Sequence, residues 1–194
     1  MTKTLLGLVA AASLLLPAAA ADARRRHCGP SSAHTEARSP SMRVYTRDDD
    51  PTYTYYFACL FRGGKPVEIG QGFDGEGSAP PNYLTQYRFA GRYLAFVDAA
   101  DGGPVDPAFA FKVVDVARRR VVHRFERTGS YGNTVVTFGG RAGLLVTDPE
   151  PLVEAFDARG RTELDRGDGV RHLRLRGTSL RWLHGDESRA YQLR

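Results

Sequence analysis

The sequence is poor in three features that often define a protein class: helical periodicity, lysine and cysteine. No stretch of its 194 residues repeats apolar side chains at the helical spacing, so we predict an all-β fold. Of its 27 cationic residues only Lys3, Lys65 and Lys112 are lysines, and the formal net charge is +5. The excess of arginine suits bidentate binding of carboxylates and phosphates, although a GC-rich coding sequence produces the same bias. Apolar content of 42% and charged content of 25% predict a globular body and not a disordered chain.

Cysteine is limited to Cys28 and Cys59, which are 31 residues apart. This spacing excludes a CxxC redox pair and the usual zinc motifs. Two cysteines in a secreted chain most often pair, so we predict a Cys28–Cys59 disulfide, with a reactive thiol as the alternative. Closing a loop of this length stabilises a fold by about 3–4 kcal/mol in the chain-entropy view.

The amino-terminal residues 1–23 have the pattern of a secretory signal peptide. Lys3 precedes an apolar run over 5–16, and Ala21-Asp22-Ala23 forms a small-x-small cleavage site. The run is shorter than the ~20 residues that span a bilayer, although an uncleaved anchor is the alternative. We therefore predict secretion with no transmembrane segment after cleavage, an arm over 24–41 and one domain over 42–194.

Short strands separated by Gly, Pro and Asp turns fill the rest of the chain. We predict strands at 34–38, 42–47, 53–62, 66–70, 87–90, 93–98, 109–116, 121–125, 135–138, 144–148, 153–157, 162–165, 172–175, 179–184 and 188–193. Residues 71–81 and 126–133 are predicted to be connectors.

A meander of four strands over 87–125 acts as the template of a repeat. The turn glycines Gly91, Gly140 and Gly177 are each followed by a similar apolar segment, which makes Trp182 the counterpart of Phe96. Four-stranded repeats of about 40–45 residues are typical of propeller blades. We predict a propeller-like array of about four antiparallel blades with three to four strands each, with an open array or a twisted β-sandwich as alternatives. The incomplete first and last copies are what closure of a ring by strands from both termini would produce.

Two segments of the template resemble a known group of proteins. Gly91-Arg92-Tyr93-Leu94-Ala95-Phe96-Val97 and Val113-Val114-Asp115-Val116 are similar to repeats of secreted bacterial β-propellers of the TolB-like and WD40-like kinds, and the whole pattern resembles small secreted proteins of high-GC bacteria. The resemblance covers residues from about 42 to the carboxyl terminus. It implies a protein that binds other proteins or ligands, and it implies no common catalytic residues.

Charge is distributed by type of turn. The loops after each second strand are acidic, as at Asp48-Asp49-Asp50, Asp98 with Asp101, and Asp148 with Glu150. The other turns are basic, and because alternate turns of a meander lie at opposite ends of the strands, we expect one arginine-rich and one carboxylate-rich side. Ordinary turn chemistry gives a similar pattern. The candidate ligand-binding residues on the basic side are Arg92, Arg118, Arg119, Arg120, Arg141, Arg159 and Arg161.

These observations favour a non-enzymatic binding module for an anionic envelope polymer or a protein partner. The alternative is a secreted hydrolase that uses carboxylates of the acidic loops, such as Asp98 or Asp148. Scattered histidines without an HxxxH spacing predict no metal site, and no motif predicts a cofactor. Nucleic acid is not an expected partner, because aromatic and basic residues are not interleaved.

Overall fold

The structure, a computed structural model, describes residues 28–47, 51–73, 82–100 and 108–194. The predicted signal peptide, 1–23, lies outside these ranges, as do residues 24–27 of the arm and the acidic residues Asp48, Asp49, Asp50 and Asp101. The described residues contain no helix, so nothing among them could cross a membrane as a long apolar helix. The all-β prediction is confirmed.

Antiparallel strands make up the described chain. They are β1 His34–Arg38, β2 Met42–Arg47, β3 Tyr53–Leu60, β4 Val67–Phe73, β5 Asn82–Ala90, β6 Tyr93–Ala100, β7 Ala108–Asp115, β8 Arg120–Thr128, β9 Tyr131–Val136, β10 Ala142–Val146, β11 Leu152–Asp157, β12 Gly160–Arg166, β13 Val170–Arg176, β14 Ser179–His184 and β15 Glu187–Gln192.

Each predicted strand overlaps an observed one, and β1, β2 and β14 agree at both ends. The predicted connector over 126–133 is wrong, because β8 continues to Thr128 and β9 begins at Tyr131. These strand ends are more polar than the alternation rule expects, and their backbone pairing is set by neighbouring strands. In the other predicted connector, residues 71–73 complete β4, and residues 74–81 lie outside the described ranges.

The strands form three open sheets in chain order, β1 to β8, β9 to β12 and β13 to β15. The first sheet narrows at its middle, where β4 and β5 share the single pair Phe73 and Asn82. It therefore behaves as two four-stranded halves. We name β1–β4 unit 1, β5–β8 unit 2, β9–β12 unit 3 and β13–β15 unit 4. Within the described residues no sheet joins unit 4 to unit 1, so the predicted ring closure is not observed.

Successive units pack face to face and bury three apolar clusters between them. Units 1 and 2 share a cluster that includes Met42, Val44, Leu94 and Phe96. Units 2 and 3 share one with Val97, Phe111, Leu144, Val146 and Phe156. Units 3 and 4 share one with Val153, Ala155, Leu173, Leu180 and Trp182.

The middle units have both faces covered, which explains the composition of their strands. Every residue of β10 and β11 is buried, and so are the first five residues of β6. A strand covered on both sides needs a nearly continuous apolar run, whereas a strand with one wet face alternates. Close packing also restricts the turns: a Cβ on Gly140, whose φ is +78°, would lie 2.6 Å from Cε1 of Tyr93.

The outer face of unit 1 is covered by the arm. Cys28 bonds Cys59 of β3, and the two cysteines pack with Tyr45 beneath residues of the arm. The predicted disulfide is present in the structure. It fixes the arm against one end of the stack, so that the unit 1 face is not available to another sheet.

Asp165 connects unit 3 to unit 4 through a buried hydrogen-bond network. Its carboxylate accepts hydrogen bonds from Trp182 Nε1 at 2.6 Å and from Arg189 Nη1 at 2.9 Å, and His184 Nδ1 lies 3.0 Å away. Burial by itself raises the pKa of Asp165, but these bonds and the positive charge outweigh it and hold the pKa below its usual range. The ionised carboxylate is therefore a structural link between two sheets.

Removal of a core side chain between units 2 and 3 should destabilise the protein strongly. Leu144 is fully buried, so Leu144→Ala should lower the free energy of unfolding by about 2–5 kcal/mol through lost contacts and the cavity left behind. Val121, which is 53% exposed, offers the control Val121→Ala, expected within about 0.5 kcal/mol of wild type. Urea denaturation of both variants measures the difference, and equal losses would contradict the packing between units.

The pH dependence of stability should report the ionisation of Asp165. Because its folded pKa is lower than its unfolded pKa, its contribution is present above pH 3.8 and is lost as pH falls through the folded pKa. Asp165→Asn should be less stable than wild type at neutral pH and should lose less stability on acidification. Asp168→Asn, at an exposed position, is the control. Unfolding followed at several acidic pH values would refute the link if Asp165→Asn and wild type lost stability in parallel.

Candidate anion-binding surface

Alternate turns of all four units lie at one end of the stack, which we name the arginine end. It consists of the turns 39–41, 61–66, 91–92, 116–119, 137–141, 158–159 and 177–178 and of the carboxyl-terminal residues 193–194.

Hydrogen bonds between turns hold this end together across unit boundaries. Ser41 Oγ donates to the Gly91 carbonyl at 3.1 Å, which joins unit 1 to unit 2. Ala158 N–H donates to the Arg194 carbonyl at 3.0 Å, which joins unit 3 to the carboxyl terminus. The predicted meeting of the basic turns at one end is therefore observed in the geometry.

The arginine end contains no acidic side chain in any of its turns, all of which are described. The nearest carboxylates, Asp115 and Asp157, are buried at the ends of β7 and β11. His123 of β8 adds no charge at neutral pH, because burial lowers its pKa below the usual value. The exposed side-chain charge of this end is therefore positive and carried by arginine, together with Lys65.

The seven predicted ligand-binding arginines divide into structural and free groups. Arg92 Nη2 lies 3.2 Å from the buried carboxylate of Asp115 and donates to the Tyr93 hydroxyl at 2.8 Å. The hydrogen bond to Tyr93 and the charge of Asp115 raise the pKa of Arg92. Arg118 donates its backbone N–H to the same aspartate at 3.1 Å, with Nε 3.9 Å from it. Asp115 thus organises the turn of unit 2.

Two further predicted residues also have structural partners. Arg161 Nε donates to the buried Glu154 carboxylate at 3.0 Å, and its guanidinium lies 4.3 Å from the Phe125 ring centroid. Arg141 Nη1 donates to the Leu193 carbonyl at 3.3 Å. These arginines hold strands and the chain terminus in place, so only part of their donor capacity faces outward.

Arg119, Arg120 and Arg159 are the free group. All three are exposed, and the described residues offer their guanidinium groups no partner, while the Arg159 backbone N–H donates to Asp157 Oδ1 at 2.9 Å. Arg119 has a φ of +54°, which is uncommon outside glycine, Asn and Asp and places it at the tip of its turn. The guanidinium groups of this trio are available to an outside ligand.

Four residues of the arginine end were not in the predicted site. Arg62 and Lys65 are exposed cations on its turns, and Arg176 is an exposed cation at the end of β13, next to the turn 177–178. Phe138 is 81% exposed beside Gly91. Phe138 was predicted to end a strand, but β9 stops at Val136 and leaves it in the turn. The three cations could have been included from their turn positions, whereas the exposure of Phe138 follows only from where the strand ends.

Comparison with known proteins does not assign the chain to a family whose function could be transferred to it. The chain matches no family model, and no curated protein matches it. The surface is therefore interpreted from its own residues.

The opposite end carries the acidic turns, and arginines pair with several of its described carboxylates. Arg166 pairs with Glu150 at 2.7 Å and with Glu163 at 2.6 Å. The hydrogen bond from Arg166 holds the pKa of Glu163 below its usual value. Arg171 lies 3.5 Å from Asp186. The expectation of a carboxylate-rich side is thus incomplete, because arginines on the adjoining strands pair with these acids.

The residues suggested for hydrolysis are placed differently. Asp98 forms an ion pair with Lys112 at 2.6 Å, while Asp148 sits exposed in the turn between β10 and β11. Within the described ranges, no three His, Cys, Asp or Glu side chains lie close enough to hold a metal ion. No arrangement among these residues favours the hydrolase alternative.

Replacement of Asp115 should test its organising role. Asp115→Asn removes the buried negative charge that Arg92 and Arg118 face, and it should cost about 1–3 kcal/mol because both guanidinium groups lose their counter-charge. Asp186→Asn removes an exposed partner of Arg171 and should cost no more than about 1 kcal/mol. Chemical denaturation compares the two, and a near-neutral Asp115→Asn would contradict the role given to this carboxylate.

Proposed function

We propose that this protein is a secreted, non-enzymatic binding module whose arginine end holds an anionic polymer of the cell envelope. The observation that carries the proposal is the absence of acidic side chains from every turn of that end, together with the free guanidinium groups of Arg119, Arg120 and Arg159. Guanidinium groups bind phosphate and carboxylate oxygens through paired, charge-assisted hydrogen bonds.

A linear ligand suits this surface better than a compact one. Sheets packed face to face lie about 10 Å apart, so the turns of successive units follow one another at about this spacing along the arginine end. A polymer with regularly spaced phosphates or carboxylates would contact several turns at once. Each contact is weak in water, and affinity arises from their number and from release of counterions.

The proposal includes an arrangement of the units as blades of an open propeller of the TolB-like and WD40-like kind. Units of three to four antiparallel strands that bury both faces against their neighbours support it. Secretion is supported by the Cys28–Cys59 disulfide, which persists in oxidising compartments, and by the signal-like pattern of residues 1–23.

Removal of the free arginines should weaken binding to a polyanion. The triple variant Arg119→Gln, Arg120→Gln and Arg159→Gln lowers the formal net charge from 5 to 5 − 3 = +2. Its affinity for long-chain polyphosphate should fall at least tenfold at low salt. The slope of log affinity against log salt should fall by about 2, since each neutralised phosphate contributes about 0.7–0.9.

A charge-matched control separates this surface from net charge. The variant Arg124→Gln, Arg127→Gln and Arg171→Gln also has a formal net charge of 5 − 3 = +2 and alters no turn of the arginine end. It should retain the wild-type salt slope and bind within about twofold of wild type. Equal losses in both triple variants, or no measurable binding by wild type, would refute the arginine end as the binding surface.

A further inference from the structure

The outer face of unit 4, which is turned away from unit 3, contains a cavity of about 390 Å³. Its lining residues are His172, Arg174, Arg181, Trp182, Leu183 and Ser188. The cavity is on a sheet face and contains no turn residue of the arginine end, so it is separate from the surface discussed above.

Unit 2 shows what the same positions do when another unit follows. The segments 86–98 and 172–184 correspond without a gap, because both have a register shift in the first strand, a two-residue turn and a second strand. Gln86 and His172 occupy the shifted positions, with φ of +54° and +59°. Arg88 of unit 2 therefore corresponds to Arg174 of unit 4. Arg88 pairs with Ala95 on the neighbouring strand, whereas Arg174 pairs with Arg181.

In unit 2 these positions donate hydrogen bonds to unit 3. Gln86 Nε2 donates to the Gly132 carbonyl, and Arg88 Nε donates to the Thr134 carbonyl at 3.1 Å. Asn133 of unit 3 likewise donates to the Leu173 carbonyl of unit 4 at 2.9 Å. Side chains near the shift therefore serve as donors to the next sheet. In unit 4, no described sheet packs against this face, and His172 and Arg174 line the cavity.

The residues that pack against the next sheet in unit 2 correspond to polar or smaller residues on the outer face of unit 4. In unit 2 the buried cross-strand pair Ala95 and Val113 packs against unit 3. The corresponding cross-strand pair in unit 4 is Arg181 and Ala190. In the next row, the buried Phe111 is replaced by Ser188, which pairs with Leu183. Smaller residues on the third strand leave space, and arginine replaces alanine at the centre. The face that packs against the next sheet in unit 2 therefore forms a polar cavity in unit 4.

The arginine pair has no counter-charge within the described chain. Arg174 and Arg181 are directly opposite each other on paired strands, an arrangement that destabilises a sheet. Two other arginines of unit 4 have acidic partners: Arg171 faces Asp186, and Arg189 binds Asp165. Within the described residues Arg174 and Arg181 have none. A bound anion would relieve their repulsion.

We infer that this cavity binds a phosphate ester. Two guanidinium forks, the His172 imidazole and the Ser188 hydroxyl line it, which is more donor capacity than the two oxygens of a carboxylate can accept. The three terminal oxygens of a phosphate monoester match it. Leu183 offers an apolar wall for the organic part, and the volume accommodates a phosphate with a small alcohol or sugar.

The backbone at His172 determines where its side chain points. His172 has φ of +59° at the same register shift that gives Gln86 a φ of +54° in unit 2. A register shift of this kind redirects the side chain relative to a regular strand. In unit 4 the redirected group is an imidazole at the wall of the cavity, without a protein acceptor among the described residues.

Trp182 makes the test specific, because it is the only tryptophan in the sequence and lines the cavity. Intrinsic fluorescence of the full chain is measured during titration with inorganic phosphate, glycerol 1-phosphate and acetate. Wild type should show saturable changes with both phosphates and at least tenfold weaker binding of acetate. Absence of saturation with either phosphate, or an equal response to acetate, would overturn the inference.

Paired variants locate the site. Arg174→Gln with Arg181→Gln should weaken phosphate binding at least tenfold, whereas Arg119→Gln with Arg159→Gln, which removes the same charge at the arginine end, should leave it unchanged. An equal effect of both pairs would overturn the site. Retained phosphate binding with lost polyphosphate binding in the second pair distinguishes the two surfaces.

A third variant guards against loss of folding. His172→Gly relieves the strained backbone, so thermal unfolding should show equal or higher stability, while phosphate affinity should fall several-fold because a donor is lost. A folded His172→Gly protein that binds phosphate as tightly as wild type would contradict the site.

Discussion

A small sheet of three or four strands cannot cover its own apolar faces, and this limitation governs the whole protein. Unit 2 is apolar on both sides, so its folding depends on unit 1 on one side and unit 3 on the other. Each buried cluster belongs to two units and to neither alone. The stability of the protein is therefore distributed along the stack, as in repeat proteins, and the ends of the stack need special treatment.

The two ends of the stack are protected in different ways. At unit 1 the arm covers the outer face and is tethered by the Cys28–Cys59 bond. At unit 4 the outer face is made polar by Arg174 and Arg181 and needs no cover. The covalent cap suits an oxidising environment, and the polar face of unit 4 contains the cavity lined by Arg174 and Arg181.

Stacking also determines where chemistry is available. Because the sheet faces are occupied by packing, the turns are the exposed parts of the middle units, and an antiparallel meander sends alternate turns to opposite ends. At one end the turns carry cations without acids. At the other, arginines from strands such as Arg166 and Arg171 neutralise the acidic residues. In the described turns of the first end, no acidic side chain offsets the arginine charge.

The alternation of apolar residues and the turn glycines were sufficient to predict the strands, the repeat and the pairing of the two cysteines, because these depend on neighbours in sequence or on compartment. They also predicted which turns share an end. They could not show that Arg92 and Arg118 form ion pairs with the buried Asp115 while the Arg119 guanidinium has no partner among the described residues. The same residue type at neighbouring positions can have different tertiary contacts, and the sequence does not show these contacts. Nor could the alternation and the turn glycines show that the stack stays open. The position of Cys28 over unit 1, and the replacement of packing residues by arginine and serine on unit 4, acquire their meaning only when the sheets are assembled, because burial and the pairing of charges are properties of the assembled stack.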